Sequence, residues 1–375
     1  MCRCNRKAVA VALELTYSSP YDAIDRPGTA IAGGVPARRR TVKTIECSVG
    51  DMNADGQVPR NESLSPADWP TAAERRYAEL QIALADEYGV EIESRVVDTD
   101  DAGRVHYLEA GDPAGEPVLL LHGSSTSGAT WLPMVPALAD EYRLLLPDRP
   151  GRGLSAAPSY RDRELRSFLA TYLVDLLDDL DVERPHVVGN SLGGLQAFLL
   201  ALDHDRVDRL CLVGGPGGVT REFPLSFRLL TVRGVNRLLF WLAGRGDPVE
   251  TTRERIANGI VGDPSAITET DYELWAANDE IPGNATSQRS YSTTAGSFTR
   301  MHPIFDISDE IVTIDRPTCF VWGSADALFA PEIGRPIAER MADASVHVLD
   351  GHGHVPFLEP GDETGTIVRA FLDGE

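Results

Sequence analysis

Apolar residues recur at helical spacing over residues 71–88, where Tyr77, Leu80, Leu84 and Tyr88 fall on one face between charged positions. This pattern predicts an amphipathic helix. The period then changes. Residues 95–100 and 104–110 flank Asp101-Ala102-Gly103, which reads as a β-hairpin. Short continuous apolar runs follow at 117–121, 142–146, 186–188, 210–213, 318–322 and 346–349, bounded by Gly, Asp or Pro. Runs of this kind predict strands covered on both faces. Helical stretches at 132–140, 163–180, 192–203, 333–341 and 364–372 alternate with them. Strand then helix, repeated, predicts an α/β protein with a mostly parallel, doubly wound sheet.

The rhythm breaks over residues 219–301, which hold helical patterns and no good strand. The longest, 227–242, contains Trp241 but also Arg228, Arg233 and Arg237, so it is not a membrane span and is expected to form the core of a helical cap. The expected organisation is a core of 93–218 and 302–375, a cap insertion at 219–301, and an N-terminal helical segment at 52–92. No internal repeat interrupts it.

Charge divides the chain at Met52. The 375 residues carry a formal net charge of −22. Both lysines, Lys7 and Lys43, lie in residues 1–51, which are net +3; the rest holds 27 arginines against 52 acids. Such an acidic body repels phosphates and anionic lipid, so neither nucleic acid nor a membrane is an expected partner. An acidic, lysine-free composition also suits work in concentrated salt, where self-repulsion is screened. The basic residues Arg3, Arg6 and Lys7 precede an apolar run at 8–13, but Glu14 interrupts it and no convincing cleavage site follows. Residues 1–51 are therefore expected to be an unstructured arm or sequence upstream of a true start at Met52. Cys211 and Cys319 sit in apolar runs and read as reduced core residues, which points to the cytoplasm.

Gly189-Asn190-Ser191-Leu192-Gly193 lies between a predicted strand and a predicted helix. A turn this tight exposes its central side chain at the helix N-terminus, which makes Ser191 a candidate nucleophile. The plainer alternative is a serine that only caps the helix. A serine needs a base held by an acid. His354 and His352 compete for the base in the loop after run 346–349, and Asp326 and Asp350 for the acid. Backbone donors for an oxyanion are expected from the glycine-rich loop after run 117–121, at Ser124 or Ser125, and from Leu192. A histidine pair without a third ligand cluster implies no metal, and no cofactor is implied.

In order along the chain, His122-Gly123, the turn from Asp148 to Ser155 (Asp-x-x-Gly-x-Gly-x-Ser), Gly189 to Gly193, Trp322-Gly323-x-x-Asp326, and Gly353 to Pro360 resemble the α/β-hydrolase fold over about residues 95–372. The resemblance implies Ser191, Asp326 and His354 as the triad, and Trp131, part of the oxyanion-loop motif, with Ser125 as possible substrate-binding residues. A serine nucleophile argues against haloalkane dehalogenases and epoxide hydrolases. Gly189 to Gly194 and Gly215 to Gly218 also look like the carbon–carbon bond hydrolases of aromatic ring-cleavage pathways, which would make Arg289 a candidate for holding a substrate carboxylate. The chain departs from those enzymes at Val355, where they carry tryptophan, and at Ser125-Thr126-Ser127. The reading placed first is hydrolysis of small carboxylic esters. Carbon–carbon hydrolysis and ligand binding without turnover are the alternatives.

The composition makes a direct prediction. Screening lengths fall from about 10 Å at 0.1 M to about 3 Å at 1 M salt, so the thermal midpoint should rise with KCl, mostly below molar concentration. Deleting residues 1–51 should leave the midpoint unchanged. A flat response between 0.1 and 3 M KCl would refute salt adaptation.

Overall fold

The protein's structure, a computed structural model, describes residues 63–375 except 258, 259 and 360. The expected arm at 1–51 lies outside the described residues.

Helix α1 (Ala72–Tyr88) forms where the periodicity puts it. The Glu74 amide donates to the Thr71 hydroxyl at 3.2 Å, and the Thr71 amide donates to the Glu74 carboxylate at 3.0 Å. Gly89 at φ 68° ends it. Eight strands follow: β1 (Ile92–Thr99), β2 (Gly103–Gly111), β3 (Glu116–Leu121), β4 (Tyr142–Pro147), β5 (His186–Gly189), β6 (Leu210–Val213), β7 (Thr318–Gly323) and β8 (Ala344–Leu349). They form one sheet in the order β1-β2-β4-β3-β5-β6-β7-β8. The hairpin β1–β2 and the β2–β4 pairing are antiparallel, and every later pairing is parallel.

The sheet is packed on both faces. Leu119, Leu121 and Val187 point to one side, where α2 (Leu165–Asp179) and α3 (Leu192–His204) cover them with Leu169, Leu173 and Phe198. Val118, Leu120 and Val188 point to the other, against Tyr77 and Leu84 of α1. Alternation along one strand thus feeds two cores, which is why the central runs are apolar throughout.

Between β6 and β7 stand α4 (Leu225–Leu230), α5 (Arg233–Ala243), α6 (Pro248–Ala257), α7 (Glu269–Glu280) and α8 (Asn284–Thr294), followed by a single helical turn, Ser308–Ile311. Helices α9 (Pro331–Ala338) and α10 (Glu363–Leu372) complete the fold. Among the described residues no helix is long and apolar enough to cross a membrane.

Four expectations are corrected. The run 346–349 is not covered on both faces: β8 is the sheet's edge, and Val348 is 38% exposed. The stretch 132–140 is not one α-helix but a 3-10 segment, Gly128–Met134, with a short turn, Val135–Leu138, because Pro133 and Pro136 lack the amides a longer helix needs. The stretch 227–242 breaks in two. Val232 is extended, the Thr231 hydroxyl bonds back to Arg228 O at 2.7 Å, and Asn236 donates to Leu230 O at 2.7 Å, closing α4 before α5 begins. Trp241 is not cap core; it stands 52% exposed.

The turn after β4 ties several parts together. Asp148 is fully buried; its Oδ1 accepts from the Gly128 amide at 2.8 Å, and its Oδ2 from the Leu154 amide at 2.9 Å and His106 Nδ1 at 2.7 Å. Gly153, at φ 48°, lies so close that a Cβ there would sit 1.8 Å from Asp148 Oδ2. Burial alone would push the carboxyl up. The His106 imidazole and the amide donors outweigh it, and the group lies below the usual carboxylate range.

Removing this carboxylate should cost about 3–5 kcal/mol, the usual range for breaking a buried pair. Its unfolded value is near about 3.9, so its contribution is complete above about pH 4 and is lost as pH falls through the folded value. Urea unfolding at pH 7 should show the loss for Asp148→Ala. Below pH 4 the gap between wild type and variant should narrow, and a gap that stays constant would contradict the assignment.

Candidate active site

The parallel strands all deliver chain to one edge of the sheet, their carboxyl ends, where loops converge. β5 passes into α3 through Asn190 and Ser191. Ser191 adopts φ 54°, ψ −115°, a conformation L-residues rarely hold. Gly193 makes the turn possible: a Cβ there would meet Leu121 O at 2.0 Å. Although Ser191 occupies the N-cap position, its side chain makes no capping bond. The hydroxyl is not spent on the helix, which removes the capping alternative.

The loop after β7 carries Asp326. Its Oδ1 accepts from the amides of Leu328 and Phe329 at 2.9 and 3.0 Å. Its Oδ2 accepts from the Gly215 amide and from His354 Nδ1, both at 2.9 Å. Burial would raise this carboxyl, but the His354 imidazole and these amides hold it below its ordinary value. It is therefore an acceptor and Nδ1 of His354 the donor, which leaves Nε2 for another partner. That Nε2 is buried with no hydrogen-bond partner. His352 turns instead to Asp350 O at 3.1 Å, and Asp350 accepts from Ser324. The structure pairs His354 with Asp326 and leaves His352 and Asp350 outside.

Two side chains that the sequence does not single out hold these loops. Asn190 donates to Val213 O at 2.7 Å and to His354 O at 3.0 Å, joining the serine turn to the histidine loop. Glu359 accepts from the amides of Gly262 at 2.9 Å and Gly353 at 2.5 Å, fastening that loop to the stretch between α6 and α7.

The loop after β3 is gripped from behind. The Arg149 amide donates to His122 Nε2 at 2.9 Å, and His122 Nδ1 donates to Gly123 O at 2.7 Å. Burial pushes the imidazole down to about 3, so it stays neutral. Buried Arg149 donates to Ser124 O at 3.0 Å; buried Arg152 donates to Ser125 O at 2.6 Å and Thr126 O at 3.2 Å. The carbonyls are engaged on one side, while among the described residues the amides of Ser124 and Leu192 find no backbone acceptor. Neither arginine was legible as a support, because Gln288 and Asp279, which also bind them, lie far along the chain.

Ser191, Ser124, Ser125 and Leu192 line one cleft of about 710 Å³, open to solvent. Phe223, Phe227 and Leu230 from the cap side and Leu328 and Phe329 from the core close it, with Gln288, Ser292 and Thr231 as polar groups. Among the described residues no charged side chain lines it. Phe240 and Trp275 of the same stretch do not line it, and Trp275 is buried against Tyr272. Trp131 is also absent from the lining: it is fully buried and stacked on Phe357 at 4.0 Å, supporting the loop from within. Arg289 is not among the residues that line the cleft; its Nε donates to Asn236 Oδ1 at 3.2 Å.

The profile of the Alpha/beta hydrolase family matches residues 118–365. A 2-hydroxy-6-oxononadienedioate/2-hydroxy-6-oxononatrienedioate hydrolase from Paraburkholderia xenovorans is 29% identical over 285 residues, spanning 74% of this chain and 93% of that enzyme. A second hydrolase of that description, from Pseudomonas putida, is 30% identical over 277 residues, spanning 72% and 91%. A carboxylesterase from Bacillus subtilis superposes with a TM-score of 0.65 at 20% identity, covering 81% of this chain and 100% of that one. With a profile that runs from β3 into α10 and a sheet to match, the chain belongs to the alpha/beta hydrolase family and is a hydrolase.

Proposed function

We propose that the protein hydrolyses carboxylic esters with an uncharged acyl group, through an acyl-enzyme. Ser191 Oγ attacks the ester carbonyl as His354 Nε2 takes its proton, and Asp326 holds the imidazole through Nδ1. The amides of Ser124 and Leu192 bind the oxyanion. The ester C–O bond breaks, and His354 returns the proton to the leaving alkoxide. Water, deprotonated by His354, then adds to the acyl carbon, and Ser191 leaves as the alcohol.

The observation that carries the ester reading is the cleft itself. Phe223, Phe227, Leu230 and Phe329 offer apolar surface beside Ser191, and among the described residues no charged side chain lines the cleft. The dienedioates named for the relatives carry two carboxylates, and burying a carboxylate without a cationic partner costs several kcal/mol. Arg289 is not among the lining residues. Carbon–carbon hydrolysis stands second, supported by the 29–30% identity to those enzymes.

Ser191→Ala should lower kcat on p-nitrophenyl butyrate by on the order of a thousandfold or more, with the thermal midpoint preserved. Equal turnover in a rigorously purified variant would overturn the triad. A substrate series should separate the two chemistries: short-chain esters should exceed a vinylogous 1,5-diketone acid in kcat/KM. A reversed order would make carbon–carbon cleavage the reaction. Phe227→Ala should raise KM for butyrate and hexanoate esters more than for acetate, because only the longer chains reach that ring.

A further inference from the structure

The outer surface of the cap contradicts the charge of the molecule. Residues 223–245 hold four arginines and no acid, in a chain of net charge −22. On α5, Arg233, Arg237 and Trp241 succeed one another at four-residue spacing, and all three are exposed, with Leu238 beside them. The Arg245 guanidinium lies 3.4 Å from the centroid of the Trp241 ring. Of the six large apolar side chains that stand most exposed among the described residues, four belong to the cap region: Leu225, Leu238, Trp241 and Phe298. Arg228 lies over the Phe298 ring at 5.2 Å, so apolar and cationic groups are interleaved there too.

The opposite side of this helical pair faces the site. Phe227 and Leu230 of α4 line the cleft, while Leu225 at the start of α4 faces out. One hairpin therefore forms both the lip of the cleft and the exposed basic, aromatic face.

We propose that α4 and α5 dock on an anionic lipid surface. The chemistry is that of an interfacial helix: arginines meet lipid phosphates, and Trp and Leu enter the headgroup layer. Whole-molecule charge does not forbid it. At 0.1 M salt the screening length is about 10 Å, so the membrane senses the charges of the docked face rather than the distant acidic body. It departs from the expectation, drawn from net charge, that anionic lipid is excluded. It goes beyond the ester reading and does not depend on it.

The test is sedimentation of the full chain with phosphatidylcholine vesicles containing or lacking 30 mol% phosphatidylglycerol, at 0.05 to 0.5 M KCl. Binding should require phosphatidylglycerol and weaken with salt. The double substitution R233Q/R237Q should lower partitioning about thirtyfold, at about 1 kcal/mol per arginine. Trp69, Trp131, Trp275 and Trp322 are buried, so a blue shift of tryptophan emission on binding should come from Trp241 and vanish in W241F. Thermal midpoints, and hydrolysis of a soluble ester, should be unchanged in these variants. Partitioning that ignores phosphatidylglycerol or the double substitution would overturn the proposal. So would a low-salt dimer abolished by R233Q/R237Q without vesicle binding, which would assign the patch to the acidic body of a second copy. If no ester is hydrolysed by any form, the ester reading fails while the vesicle result still decides this one.

Discussion

The buried carboxylate of Asp148 is the fixed point of the front of the molecule. It reaches the loop after β3 through Gly128, the turn after β4 through Leu154, and β2 through His106. A charge without water is tolerable only when its lone pairs are filled, and here three donors from separate segments fill them. Those segments are thereby held in one relative position. The next residues of the same turn use that position: Arg149 and Arg152 extend from it to take the carbonyls of Ser124, Ser125 and Thr126. Fixing the carbonyls fixes the amides opposite them.

What remains unpaired is as informative as what is paired. The Ser191 hydroxyl makes no cap bond, His354 Nε2 is buried without a partner, and among the described residues the Ser124 and Leu192 amides find no backbone acceptor. Leaving a buried polar group unpaired costs about 1–3 kcal/mol. Their neighbours are satisfied: Asp326 by four donors, His122 at both nitrogens, Asn190 by two carbonyls. Each of these unpaired groups thus neighbours a saturated one, which fixes its position.

Much of this was legible in the sequence because it is local. The serine turn needs a strand, a helix and glycines within a few residues, and the acid and histidine loops follow apolar runs directly. Arg289 and Trp131 were misplaced for the opposite reason. Their positions depend on partners such as Asn236 and Phe357, far along the chain, which no spacing reveals. The helix expected over 227–242 was hydrophobic enough to look buried all round. Its arginines at 233 and 237 mark the solvent arc, and Trp241 continues the same four-residue step, so the exposed face was written in the sequence but needed the break at Val232 to be read.

The surplus of acids gives arginine positions their meaning. Over the body of the molecule an arginine readily finds carboxylates: Arg166 binds both Asp203 and Glu310, and Arg184 and Arg316 share Asp205. Arginine suits that role, since its planar fork meets a carboxylate with two parallel bonds. An arginine without a carboxylate is then a local exclusion of acid rather than a chance of spacing. Arg149 has Tyr160 and Tyr291 rings and neutral oxygens around it, behind the cleft. Arg228 and Arg245 lie over aromatic rings on the cap, in a stretch from which acids are absent. One cation is sealed inside behind the candidate oxyanion loop, and the others are held outside on the cap, where aromatic rings and carbonyls take the place that carboxylates fill over the body.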